Sequence, residues 1–283
     1  MIMREISFSE IVYAVKDLCI RASVALPSDV NAAIRKAAAE ETSPLGRSIL
    51  EKCLENALIA ERERLPICQD TGYAVFFVKS GCDLKINGGL LTDAINEGTK
   101  QGYLEGYLRK SIVSDPLYER KNTNDNTPAL THIEIVPGNS LSITLLPKGG
   151  GCENMSSLAM LKPSEGEKGV IDFVVSTVKK AGGNPCPPVI VGVGIGGTAD
   201  KASLLAKEAL LRPIGISNEN QTYAALERKL LSSVNATGVG PQGLGGSTTA
   251  LAVHVEYYPC HIASLPVAVN LNCHAARRAT CVI

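Results

Sequence analysis

Apolar positions along the chain change period several times, and each change marks an element. Ser7-Phe8-Ser9-Glu10 has the form of a capping box, in which a serine and a glutamate three positions on satisfy each other's backbone N–H. Behind it Ile11, Val12, Val15, Leu18 and Cys19 recur at helical spacing, so Cys19 reads as core. Ser28 can cap a second helix whose stripe is Val30, Ala33, Ile34, Ala37 and Ala38. Thr42-Ser43-Pro44 opens a third, with proline in its first turn, expected to bury Leu45, Ile49, Leu50, Cys53, Leu54 and Leu58. After Pro66 the pattern predicts a strand over 71–81 and a helix over 90–108. Residues 131–151 read as a hairpin, with Ile133 and Ile135 on one arm, Leu141, Ile143 and Leu145 on the other, and Pro137-Gly138-Asn139 between. Helices follow over 169–181, 199–211 and 221–235, and strands over 189–193, 248–256 and 263–271. This order predicts an α/β fold, a helical N-terminal layer followed by a mixed sheet with packed helices. No repeat or charged linker interrupts it, so residues 1–283 are expected to form a single domain.

Composition narrows the class of function. With 45% hydrophobic residues the chain can bury a core, which excludes a disordered protein. Its 28 basic residues balance 28 acidic ones, so no overall field draws it to nucleic acid. Arg4, Glu5, Glu10, Lys16 and Asp17 break up any signal-peptide core, and no run reaches the roughly eighteen apolar residues of a membrane span. The expectation is a cytoplasmic protein with no membrane partner. Nine cysteines are then many for a reducing compartment and raise metal or catalytic use alongside packing.

The stretch NPCPPVIVGVGIGGTADKA, 184–202, offers two such uses. Gly192-x-Gly194-x-x-Gly197 has the spacing of a dinucleotide turn, but that motif needs an acidic residue about twenty positions on at a strand end. Glu219, the one acidic candidate, falls in a polar loop. What survives is that glycines let a backbone come close to something and that a helix N-terminus follows. Cys186 is the other feature: prolines on both sides remove backbone donors and stiffen its presentation. Cys68, before Gln69-Asp70-Thr71-Gly72, and Cys273, after Asn270-Leu271-Asn272, occupy comparable turns. Three thiols without a local C-x-x-C pair suit a metal centre assembled from distant loops; a structural zinc would usually show two local pairs.

LPICQDTG (65–72), KGGGCENMS (148–156), the 184–202 stretch, GPQGLGGSTTALAVHVE (240–256) and PCHIASLPVAVNLNCHAARRA (259–279) together resemble the α subunit of two-subunit class I, iron–sulfur fumarate hydratases. The likeness runs from about Asp29 to Ala279 with five motifs in order. It implies a [4Fe–4S] cluster on Cys68, Cys186 and Cys273 with one iron lacking a protein ligand, and reversible hydration of fumarate to (S)-malate, a reaction of the tricarboxylic acid cycle. Cys152 would line the site, while Cys82, Cys260 and Cys281 have no matched role. Gln69 and Asp70 are implied at the substrate, Asp70 as acid/base or as the group orienting one; alternatively its carboxylate merely closes an Asx-turn. Arg109 matches a substrate-carboxylate arginine, although periodicity alone makes it a solvated helix end. Gly149, Gly150 and Gly151 would let backbone N–H groups approach the dicarboxylate, a plain loop being the simpler reading. His261 matches a histidine near the substrate; His254 and His274 read as structural or supporting residues.

Nothing in the 283 residues matches the C-terminal domain of single-chain relatives, so the resemblance implies a β subunit that completes the site. Within enzymes the neighbouring readings are the α subunit of L-tartrate dehydratase or of a mesaconate hydratase; GGGCENMS followed by SSLAMLKPSEG is closer to the fumarase type. From other classes, an NAD-dependent oxidoreductase and a non-catalytic metal-binding scaffold remain as alternatives.

Overall fold

The computed structural model describes residues 3–283; the first two residues of the predicted 1–283 domain lie outside the described ones. In chain order the elements are β1 (Arg4–Ser7), α1 (Phe8–Val24), α2 (Ser28–Glu40), α3 (Pro44–Glu63), β2 (Tyr73–Gly81), β3 (Leu84–Asn87), α4 (Leu91–Glu105), β4 (Leu130–Val136) and β5 (Leu141–Lys148). There follow α5 (Gly150–Glu153), β6 (Ser157–Leu161), α6 (Gly166–Ala181), β7 (Val189–Gly196), α7 (Ala199–Ala209), α8 (Gln221–Asn235), β8 (Ala250–Tyr258), β9 (Leu265–Asn272) and β10 (Ala279–Val282). This is the α/β architecture the sequence predicts, with a helical N-terminal region and mixed sheets. The described residues gather into two compact units, one of residues 3–27, 57–150 and 277–283, the other of 28–56 and 151–276. One of these boundaries lies inside α3 and another inside the Gly149–Gly151 run, which sequence pattern reads as a loop of the site and not as a linker.

In the first unit Ser7 caps α1 and completes the predicted capping box with Glu10. The buried face of α1, including Ile11, Val15, Leu18 and Cys19, packs with Ala94, Ile95 and Tyr103 of α4 and with Phe76, Ile143 and Leu145 of the sheet. That sheet has the order β10-β5-β2-β4. The predicted hairpin is corrected here: β4 and β5 do not pair with each other, because β2 lies between them, parallel to β4 and antiparallel to β5. The Gly138 turn instead passes the end of β2, where Cys82 N–H donates to Val136 and Gly81 N–H to Ser140. On the edge strand β4, Ile133 and Ile135 are exposed.

In the second unit the sheet runs β6-β9-β7-β8, with β8 parallel to β7 and β9 antiparallel to it. Strand periodicity splits β7 cleanly. Val189, Val191, Val193 and Ile195 join the core formed with α6 and α8. The intervening Gly192 and Gly194 meet α7: a Cβ on either would run into the carbonyl oxygen of Ala206 or Ala202 respectively. The glycine spacing is thus explained by helix–strand packing.

The α3 stripe is narrower than predicted. Leu50, Ala57 and Ala60 are buried, whereas Leu45 and Leu58 are 54% and 58% exposed. Small residues on the inward side bring the helix close and turn the flanking leucines outward. Between α2 and α3, Glu41 is fully buried and receives N–H donors from Ser43, Ser247 and Thr248 and the Ser247 hydroxyl, all at 2.9–3.0 Å. Burial alone would raise its pKa, but these donors outweigh burial and hold the carboxyl at about 2. Much of the GGST part of the 240–256 motif is therefore a carboxylate socket. Among the described residues no helix is long and apolar enough to cross a membrane.

Candidate active site

In the first unit the Cys68 turn joins α3 to β2 and is braced on every side. Ile67 N–H donates to Ser23, Asp70 N–H to Cys68 Sγ at 3.4 Å, and Thr71 Oγ1 to the Arg109 carbonyl at 3.0 Å. The Tyr103 hydroxyl lies 3.2 Å and 3.1 Å from the Thr71 and Gly72 carbonyls, and Asn126 Nδ2 donates to Gly72 as well. Gly72 has φ +75°, and a Cβ there would strike the backbone of Lys148, so the turn requires glycine.

Asp70 does close an Asx-turn: Oδ1 accepts Gly72 N–H at 3.0 Å. It does more, since Oδ2 accepts Gly150 N–H at 2.8 Å and so ties the CQDTG turn to the KGGG loop. Gly149 lies against the same carboxylate. Gln69 and Arg109 are exposed, Arg109 just beyond α4. Two residues for which no role was predicted also belong here. Lys148 is completely buried at the end of β5, and Arg277, 2% exposed, donates from Nη2 to the Asp70 carbonyl at 2.9 Å. The sequence signal for both was a cation inside a glycine or cysteine motif, and burial is what a cation in a motif does not announce.

In the second unit Cys186 is exposed and has φ +54°, a left-handed conformation uncommon for a residue with a side chain. Cys186 N–H donates to Gly183, and Gln242 N–H and Nε2 both reach the Pro187 carbonyl. His274 Nδ1 lies 3.0 Å from the Cys186 carbonyl. Burial would lower the His274 pKa, yet hydrogen bonding to Cys53, the neighbouring cysteines and the Cys186 carbonyl together hold it up at about 9. His274 and Gln242 thus support the Cys186 loop, and they line an open cavity of about 360 Å³ with Cys53 and Lys52. Cys152 is buried with Sγ 3.5 Å from the Pro185 carbonyl, next to that loop. Gly151 faces the Asn184 carbonyl.

Cys273 directly follows β9, and Cys186 precedes β7 by two prolines. Ile190 of β7 pairs with Asn272, so the antiparallel register brings the two cysteines to the same end of the sheet. His261 is not brought there. It sits in the β8–β9 turn, and Tyr258 of β8 pairs with Gly196 at the opposite end of β7. An eight-residue strand separates the ends, roughly 23 Å at 3.3 Å per residue. His254 is buried against the Ala209 carbonyl, a structural role. Among the described residues no three His, Cys, Asp or Glu side chains converge as a single metal ion would need.

The fumarate hydratase (Fumerase) family model matches residues 12–282. The chain belongs to the fumarate hydratase family. A Methanocaldococcus jannaschii protein provisionally named L(+)-tartrate dehydratase subunit alpha is 43% identical over 270 residues, covering 94% of both chains. L(+)-tartrate dehydratase alpha subunits of Escherichia coli O157:H7 and K12 are each 36% identical over 92% of this chain and 86% of their own. As a member of the fumarate hydratase family the chain is a hydro-lyase, and the predicted enzyme class holds. The family covers both fumarate and tartrate names, so membership leaves the substrate open.

Proposed function

We propose that this chain is the α subunit of a [4Fe–4S]-dependent hydro-lyase that reversibly hydrates fumarate to (S)-malate, with a β subunit completing the site. The observation that carries the reading is Cys186, an exposed thiol in a left-handed conformation, braced by Gly183, Gln242 and His274. Such conformations cost free energy and cluster at functional sites. Cys68, Cys186 and Cys273 would hold the cluster. The donor set fits it: iron–sulfur clusters take thiolates, and the Cys68 sulfur already accepts a backbone N–H. The thiolates of a four-iron group bind separate irons, so they need not meet at one point as the ligands of a lone zinc ion must. When bound, the cluster would supply a Lewis acid for the hydroxyl that is added or removed.

The chain's own residues then divide the remaining work. Asp70 would handle or orient the carbon-bound proton, its carboxylate aimed by the Gly72 and Gly150 amides. Arg109, exposed, would engage a substrate carboxylate through its planar fork, and Gln69 would hydrogen-bond the same substrate. Of the Gly149–Gly151 run, Gly150 would act through Asp70, whose Oδ2 takes its N–H, and the Gly149 and Gly151 amides would meet the dicarboxylate. His261, at the far end of its sheet, is assigned no role with this chain's thiols. A β subunit is supported by the relatives' names as alpha subunits. A cytoplasmic place in the tricarboxylic acid cycle goes with the cluster reading, in which three of the nine cysteines serve as thiolate ligands.

Dehydration of L-tartrate is the second reading, favoured by the names of the relatives. The test is a substrate panel of fumarate, (S)-malate, L-tartrate and mesaconate on the anaerobic complex with its partner. A kcat/KM for fumarate at least tenfold above that for L-tartrate is expected. The reverse ranking selects the second reading, and inactivity on all four contradicts both.

A further inference from the structure

Arg277 touches the Cys68 turn through one hydrogen bond, from Nη2 to the neutral carbonyl of Asp70. Its Nε and Nη1 are buried and have no hydrogen-bond partner. A guanidinium stays charged in any protein environment, and unmade hydrogen bonds of a buried charge are among the costliest defects a fold can carry. The neighbouring Tyr103 hydroxyl gives no compensating charge, because burial raises its pKa and keeps it protonated. The Asp70 carboxylate is engaged by the Gly72 and Gly150 amides. A buried cation with idle donors at a turn that presents a thiol points to an anion at that turn.

We propose that Arg277 is a positioning residue that fixes the Cys68–Gly72 turn through the Asp70 carbonyl and donates Nε–H and Nη1–H to an anion held there, the charged sulfur of the group Cys68 ligates. This rests on the cluster reading above. A group installed once during assembly suits donors that bulk water does not reach, whereas a dicarboxylate must exchange at every turnover. Both are anions, and the experiment separates them.

The full chain is purified anaerobically as wild type, Arg277→Met and Arg277→Lys, first without metal. With the anion absent, Arg277→Met loses the bond to the Asp70 carbonyl but also removes two unmade buried donors, so its Tm should fall no more than about 4 °C below that of wild type; a larger fall marks a structural arginine and overturns the proposal. After reconstitution with iron and sulfide, Arg277→Met should lose iron to a chelator about 10- to 100-fold faster than wild type, with Arg277→Lys between them. Its cluster potential should also move negative, since a cation and N–H donors at sulfur favour the reduced state. Wild-type retention and potential in Arg277→Met would overturn the cluster as the anion. In that case, or if wild type takes up no iron or sulfide and the cluster reading fails by itself, fumarate and L-tartrate decide. A Tm rise in wild type that Arg277→Met lacks assigns the anion to the dicarboxylate, and its absence overturns the proposal entirely.

Discussion

Replacing Glu41 by glutamine should destabilise the chain by roughly 3 kcal/mol at neutral pH and abolish one component of its acid sensitivity. The carboxylate is completely buried and takes four donors, three of them backbone N–H groups of Ser43, Ser247 and Thr248. Its pKa falls from 4.5 to about 2, burial opposing the shift and the donors prevailing. That difference corresponds to roughly 3 kcal/mol. Glutamine keeps one acceptor oxygen and sets an NH₂ against the remaining amide, so at least one buried N–H is left unmade, in itself about 1–3 kcal/mol. Because the folded pKa is depressed, this stabilisation is fully present above about 4.5 and is lost as pH falls toward and through 2. Urea denaturation of both proteins from pH 7 to pH 2.5 measures the gap directly, and acid effects of other carboxylates cancel in the difference. The gap should be widest at pH 7 and close at low pH. Equal stability at pH 7, or a gap that does not change with pH, would refute the reasoning.

Gly194→Ala should destabilise the chain by about 1–3 kcal/mol in thermal or chemical denaturation, because the added methyl runs into the Ala202 carbonyl of α7; unchanged stability would contradict the packing role assigned to the glycine pair. Cys19, fully buried and with its thiol pushed up to about 12 by burial, should resist iodoacetamide at pH 8 in the native chain while the exposed Cys82 and Cys260 react, and modification of Cys19 seen by mass spectrometry would contradict the core placement.

Local pattern carried much of the fold. The Ser7–Glu10 box, the Cys19 stripe and the 221–235 helix all follow from residues a few positions apart, and each occurs as read. The hairpin over 131–151 failed because alternation specifies two strands and a turn but not what lies between them, and β2 took both pairing edges. The α3 leucines failed because helical spacing gives several possible stripes, and small residues such as Ala57 and Ala60 won the close approach. At the candidate site, Cys68, Cys186 and Cys273 stood out by their turns. Asp70 was read both as a reacting group and as an Asx-turn, and its geometry satisfies the second while leaving the first to experiment. Arg277 escaped because its meaning lies in a long-range partner, Asp70, 207 positions away, whereas His274, read as a structural or supporting residue, lies against the Cys186 carbonyl 88 positions away.

Anaerobic iron and acid-labile sulfide analysis, with visible absorption, tests the central claim most directly. It is made on wild type and on Cys68→Ser, Cys186→Ser and Cys273→Ser, with Cys53→Ser as control. About four iron and four sulfide per chain in wild type and control, lost in the other three variants, is the predicted result for a [4Fe–4S] site. Zinc or no metal in wild type after anaerobic reconstitution, or a cluster that survives loss of Cys186, would contradict the account.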